Sequence, residues 1–527
     1  MRYSKIAAVS LAAVLGLAAI AADAVTLRWA GRGDMQTTDP HSQNENLTNN
    51  INALVYEFLV MRDKKLGIVP ALAESWTQVN PTTWRFKLRP GVKFHDGTPF
   101  TADDVVFSFE RAKADTSQLR AYSNAAGVPK KIDDLTVEFT TSGPNPIELE
   151  HIATINVMSK AWCEKNRCQK PQNFAAKEDM VTAREANGTG PFSLVTRQPD
   201  VKTVLKKNPN WWGIKAGYAD SNVDEVVYTP IVSDATRVAA LISGEVDLIN
   251  DPPPQDVPRL TQTPNIKVIE GVENRIIFIG MDQARDELLY SNVKGKNPFK
   301  DIRVRQALYQ AVDIDAINKN TMRGLSKPTG AILPSPATST PEIEKRLPYD
   351  KEKAKKLLAE AGYPNGFEVT LDCPNNRYVN DERICQALAA MWSQVGVMTK
   401  VNTMPRAVYF PKLEKTDTSL YMLGWGGAST DAIFTLQPVL SSYNGKGDGD
   451  FNYGRYTNKK VDDLTAKVKV DMTEGRIGLI HDALLAQNAE VNLIPLHRQV
   501  IPWASRSNVT TPHRADNWVN PFWTSVK

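Results

Sequence analysis

An α/β fold divided among about two or three domains is what this chain predicts, and three observations carry that expectation. Its 527 residues exceed what one hydrophobic core usually covers. Residues 233–249 and 367–402 each alternate helical and strand periodicity in the order of an α/β unit. Residues 84–111 run strand, turn, strand, turn, helix, with a readable local reason for nearly every position.

The elements follow in chain order. Arg2 and Lys5 precede an apolar run, and Ala22-Asp23-Ala24 places small residues before Val25, so residues 1–24 read as a cleavable export signal. A membrane-spanning helix wants about 20 apolar residues, and no other stretch offers them. The first cysteine is Cys163, far from the cut, so a soluble exported protein is expected rather than a lipoprotein. A strand over 26–30, a polar loop through Asp39-Pro40-His41 and an amphipathic helix over 51–59 come next.

In the block that follows, Trp84, Phe86 and Leu88 alternate with Arg85, Lys87 and Arg89, the period of a half-buried strand. Pro90-Gly91 makes a turn, 92–94 a short strand, and His95-Asp96-Gly97 a second turn. Thr101 with Asp104 three residues on is a capping box, opening a helix that carries Val105, Val106, Phe107 and Phe109. A strand over 135–139 and a loop-rich stretch over 143–180 lead to Gly188-Thr-Gly190-Pro191. The helix over 233–243 ends at Gly244, and a strand follows over 246–249.

From Gly271 the pattern restarts. An apolar strand over 276–281 and a helix opening at Asp301 precede a helix over 351–361, which Asp350 caps and Gly362 ends. Strand 367–371, helix 381–394 and strand 397–402 make a βαβ unit. The apolar strand 420–425 leads into the loop 426–431 and a helix over 432–440, while 493–495 and Trp503 read as a return to the first lobe.

Charge and cysteines narrow the class. Sixty-three Lys and Arg against 59 Asp and Glu leave a formal charge of +4, scattered rather than clustered, which is poor support for a nucleic acid or acidic membrane partner. Four Cys in an exported chain fit two disulfides. Spacing favours Cys163 with Cys168 and Cys373 with Cys385, though three connectivities are open. Such short loops would contribute about 2–3 kcal/mol each. His-Glu-x-x-His, Gly-x-Ser-x-Gly and Walker A motifs are missing, and residues 448–459 fail as a calcium loop at Tyr453 and Lys459. No cofactor, metal or catalytic residue is expected, with a secreted hydrolase or a chaperone as the competing classes.

Residues 84–111, Asn187-Gly-Thr-Gly-Pro-Phe192, the loop ending Trp211-Trp212-Gly and the helix opening at Asp301 together resemble the family 5 extracellular solute-binding proteins. These are the dipeptide and oligopeptide receptors of ABC importers. The resemblance implies a two-lobed periplasmic binding protein fold with an extra third domain and a ligand cleft between the lobes. Lobe I would comprise 25–54 with 188–270 and 491–527, the extra domain 55–187, and the other lobe 271–490. It further implies a periplasmic, non-enzymatic monomer that takes up a peptide or small-molecule ligand, hinging near Gly188 to Gly190 and Gly271. The ligand would then pass to an ABC permease complex in the inner membrane.

The site is expected at the carboxyl end of strand 420–425, where ligands of open α/β sheets sit. Trp425, Gly426, Gly427, Ala428 and Asp431 are the candidates there. Peptide-binding relatives carry an Asp for the ligand's ammonium where this chain has Ala428, which keeps opines, oligosaccharides and other polar solutes open beside peptides. Arg377 and Arg406 are candidates for a carboxylate, since a guanidinium meets it as a two-pronged fork. His497 and Trp503 complete the expected cleft wall.

Overall fold

The computed structural model describes residues 24–527 apart from 175, 334–338, 376, 427–428 and 446, with the backbone but not the side chains of 406 and 407. The expected export signal lies outside these residues save for Ala24. Two large sheets dominate. The first has seven strands in the spatial order Ile266–Ile269, Trp503–Arg506, Leu248–Asn250, Thr26–Gly31, Glu225–Pro230, Lys202–Lys207, Phe192–Gln198. Its central Thr26–Gly31 strand is parallel to both neighbours, so the loops after Gly31 and Asn250 open at the same edge. The second has six strands, ordered Ser326–Pro328, Leu493–Val500, Val272–Met281, Leu420–Trp425, Phe367–Pro374, Val397–Met404.

The expected extra domain is built on a four-stranded antiparallel sheet, with Thr83–Leu88 and Thr136–Thr140 at its centre. Phe86 and Leu88 are buried while Arg85 and Lys87 are exposed, as the alternation requires. Thr101 and Asp104 form the capping box at the head of the Ala102–Ala112 helix. The strand expected over 92–94 shrinks to one bridge between Lys93 and Pro99. Gly97, at φ +87°, turns the chain back at once and Phe94 N–H bonds Thr98 O at 2.9 Å. Val92 and Phe94 still go into the core.

The helix expected over 51–59 forms earlier, as Asn46–Val55, because the Glu45 carboxylate accepts from Thr48 N–H at its start. Its end is set by the glycine pair. A β-carbon on Gly188 would stand 2.0 Å from Val55 O, and one on Gly190 2.6 Å from Leu54 O. Glycine is needed here for close approach of two backbones.

The Val272–Met281 strand is apolar along most of its length because both faces are covered. Ile277, Ile279 and Met281 enter one core with Trp392, while Ile276 and Phe278 enter another with Tyr421 and Leu423. Leu493–Val500 pairs beside it, fully buried, so residues 493–500 stand in the second sheet rather than with the first lobe as the sequence suggests. Only from Trp503 does the chain rejoin the first sheet.

The two sheets are therefore joined at residues 270–271 and again at 501–502. These segments lie side by side, with Ile501 N–H donating to Gly271 O at 3.0 Å. A β-carbon on Gly271 would collide with the His513 ring at 1.9 Å.

Cys373 and Cys385 are bonded, tying the Phe367–Pro374 strand to the Asp381–Ser393 helix. The bond expected between Cys163 and Cys168 is not formed. Both are buried free thiols, hydrogen-bonded to each other where the chain turns out of the Lys160–Lys165 helix.

Candidate functional site

Between the lobes lie two adjoining cavities of about 650 and 750 Å³, within the range of small-molecule sites. Both are lined by Glu273, Arg275, Arg377 and Tyr378, which form the join between them. The second cavity opens at the carboxyl edge of the first sheet, against Arg32, Asp34 and Asp251. The first has an aromatic wall that includes Tyr122, Trp425, Phe434 and Phe451.

Trp425 ends the Leu420–Trp425 strand and its indole N–H donates to Phe434 O at 2.9 Å, with the Phe451 ring 4.8 Å away. Gly426 follows, and a β-carbon there would stand 2.0 Å from Asn274 O. Tyr378 lies across Gly424, whose added β-carbon would meet its ring at 2.4 Å. Both glycines thus let neighbouring groups close on the strand end. Gly427 and Ala428 lie outside the described residues, as does the Arg406 side chain.

Three other expected contacts fall elsewhere. Asp431 is held by both Arg476 nitrogens at 2.7 and 2.8 Å and caps Ile433 N–H at 2.9 Å, so it is committed inside the second lobe. His497 is fully buried on Leu493–Val500, where burial and the Arg346 charge push its pKa down to about 3 and keep it neutral. Trp503 is a core residue of the first lobe, its N–H on Asn517 Oδ1 at 2.6 Å. Neither forms part of the cavity walls. Arg377 does: its guanidinium stands 5.1 Å from the Tyr378 ring, and its backbone N–H is fixed on Asp381 at 2.8 Å.

Glu273, Asn274 and Arg275 also line the cavities, and the sequence reading passed over them. Arg275 Nε lies 3.2 and 3.1 Å from the Glu273 oxygens, and Gln499 donates to Glu273 Oε2 at 3.0 Å. Burial works against the Arg275 cation, but Glu273 together with Tyr378 and Asp251 more than offsets it and the net pKa is raised. Asn274 is 7% exposed, and its Nδ2 has no hydrogen-bond acceptor among the described residues. The signal was available: two opposite charges at i and i+2, at the head of a strand otherwise apolar to Met281.

In the wall of the first cavity, Glu57 Oε1 accepts from both Trp211 and Trp212 N–H groups at 2.8 Å. Burial raises its pKa to about 7 despite these donors. An acid that binds its proton more tightly when folded loses stability as pH rises from its unfolded pKa near 4.5 to about 7. Glu57 by itself is expected to contribute a loss of about 3 kcal/mol across that window, and Glu148, whose pKa burial raises to about 8, adds a loss of its own there. Glu57→Gln should remove that share and leave the Glu148 share, so that its profile falls less steeply than that of wild type, as read by urea unfolding at both ends; parallel pH profiles would refute it.

Residues 67–447 match the bacterial extracellular solute-binding proteins, family 5 Middle. The chain belongs to that family. Among its relatives, the glutathione-binding protein GsiB of Shigella flexneri serotype 5b is 29% identical over 443 residues, 82% of this chain and 80% of that protein. Heme-binding protein A of Haemophilus influenzae is 29% identical over 473 residues, covering 85% and 82%. The periplasmic binding protein DppA of Helicobacter pylori, solved with the peptide STSA, superposes with a TM-score of 0.77 over 95% of this chain and 98% of that one. At 24% identity that likeness speaks to the fold alone. This family 5 protein thus has the two-lobed α/β fold with an interlobe cleft, and no described helix is long and apolar enough to cross a membrane.

Proposed function

We propose that this family 5 protein is the periplasmic receptor of an ABC importer for a peptide-sized solute bearing a carboxylate. The observation that carries this reading is the pair of guanidinium groups, Arg275 and Arg377, shared by both interlobe cavities beside an aromatic wall. Guanidinium and carboxylate match in charge and in planar geometry. Glutathione and heme, the ligands in the relatives' names, each carry two carboxylates. Asp431, the first carboxylate in sequence after the position where peptide receptors hold an ammonium, is already paired with Arg476. The reading therefore rests on the acid end of the solute and on the two guanidinium groups.

Closure would turn about the paired segments 270–271 and 501–502, bringing Arg377 of one lobe toward the Arg32 edge of the other. Titration calorimetry of the chain from Val25 tests the reading with glutathione, a free tripeptide and the same tripeptide amidated at its C-terminus. Micromolar binding, about 8 kcal/mol, is expected for a carboxylated solute, with amidation weakening it about tenfold or more. Equal binding of the amidated peptide, or no binding by any of the three, would overturn it. In the same assay Trp425→Ala is expected to weaken binding about tenfold or more by removing one aromatic wall. An unchanged affinity in a folded variant would take that wall out of the site.

A further inference from the structure

The extra domain touches the second lobe beside the first cavity. The Tyr122 ring stacks on Phe434, centroids 6.0 Å apart and planes 18° apart, and the His151 ring stands 5.6 Å from the same Phe434. Ile147 is 8% exposed and buried in the second lobe's apolar cluster with Ile433 and Leu436. One side chain organises this surface from behind. Asn145 Nδ2 lies 3.0 Å from His151 Nδ1 and 2.7 Å from Glu148 Oε2, and its oxygen accepts Ile147 N–H at 3.2 Å.

The chain makes no direct passage between the extra domain and the second lobe. It leaves the extra domain into the first sheet at Phe192–Gln198, and reaches the second sheet only at residues 270–271. The extra domain is fastened to the first lobe instead. His95 N–H bonds Gly188 O, Gly190 N–H bonds Val55 O, and Arg111 of the extra domain holds Asp39. A hinge motion at 270–271 and 501–502 carries the second lobe away from both, and the contacts to Phe434 must then break.

We infer that Tyr122 and His151 on Phe434, with Ile147 in the apolar cluster of Ile433 and Leu436, form a clasp through which the extra domain biases the protein toward the closed arrangement of its lobes. Tyr122 and Phe434 also line the cavity, whereas Ile147 and His151 stand outside its wall. Solute can therefore reinforce the clasp through the two rings it touches, and the outer pair sets the closing equilibrium without touching solute. Closure is a population shift, and each apolar contact that exists only when closed enlarges the closed fraction.

The test is a distance measurement on solute-free protein. Nitroxide labels are placed at Val128→Cys in the extra domain and Val470→Cys in the second lobe, positions 62% and 50% exposed. The spread of separations is read by pulsed electron spin resonance. A short-distance population is expected with the clasp intact, falling about tenfold in Ile147→Ser, which exchanges a buried apolar group for a hydroxyl. Phe434→Ala, made from the other side, is expected to give the same loss and serves if Ile147→Ser does not fold. Identical distributions with and without these substitutions, or no short-distance population in the labelled parent, would overturn the clasp. The readout uses no solute, so failure of the calorimetric panel would refute the proposed ligand class while leaving this result standing.

Discussion

Arg111→Ala is expected to destabilise the protein by about 3–5 kcal/mol, because it strands a buried carboxylate. The Arg111 and Asp39 side chains are both fully buried. The guanidinium bonds Asp39 at 2.9 and 2.6 Å, approaches His41 Nδ1 at 3.0 Å, and donates to the Cys168 and Lys170 carbonyls at 3.0 Å. Asp39 in turn accepts from Gln172 N–H and the Thr182 hydroxyl. The network ties the loop after the first strand to the Ala102–Ala112 helix, and so fastens the extra domain to the first lobe. Lysine cannot replace these five contacts with three donors, so Arg111→Lys should recover only a minor part of the loss.

A paired replacement, Asp39→Leu with Arg111→Met, should cost less than Arg111→Ala alone, since no charge is left behind. Burial would raise the Asp39 pKa, but the Arg111 charge and hydrogen bonds outweigh it and the net shift is downward. The contribution is therefore present above the ordinary aspartate range near pH 4 and lost as pH falls below it. The measurement is the first transition in urea unfolding, because a multidomain chain need not unfold in one step. A loss under about 1 kcal/mol would show that the network is not what holds the two units together.

How far the sequence could be read depended on how local each feature was. The block 84–111 was legible because its turns, its capping box and its strand alternation are each decided within a few residues. Gly91 and Gly97 adopt positive φ of 74° and 87°, as the turns demanded, and Gly244 caps its helix at 84°. The strand over 493–500 was misplaced for the opposite reason. An apolar run buried on both faces suits the centre of either sheet, and its partner, Val272–Met281, lies more than two hundred residues earlier.

The site divides the same way. Trp425 and Gly426 were legible as a strand end meeting a loop of small residues, and Arg377 as a cation near another strand end. That Arg476 captures Asp431 depends on a contact across 45 residues, which no local pattern announces. His497 and Trp503 were expected to complete the cleft wall as a polar and an aromatic residue of one first-lobe segment. The lobe crossing falls between them, at 501–502, leaving one in each core.

Arg275 was missed because Glu273 beside it makes the pair look like a solvated strand end, and its role supplies the sharpest functional expectation. Arg275→Met should weaken binding of a carboxylated solute about 10- to 150-fold, the worth of a charge-assisted hydrogen bond of about 1.5–3 kcal/mol in a closed site. Arg275→Lys keeps the charge but not the planar fork, so its loss should be intermediate. Removing the cation also leaves Glu273, 5% exposed, with Gln499 as its described donor. A fall in affinity could then reflect a loosened strand end. Glu273→Gln combined with Arg275→Met removes both charges and spares that penalty, so it should restore stability while binding stays weak. Recovery of binding in the double variant would mean that Arg275 serves only to neutralise Glu273. Persistent loss there, with Arg377→Met showing a similar defect, would place the solute's carboxylate at the join between the two cavities.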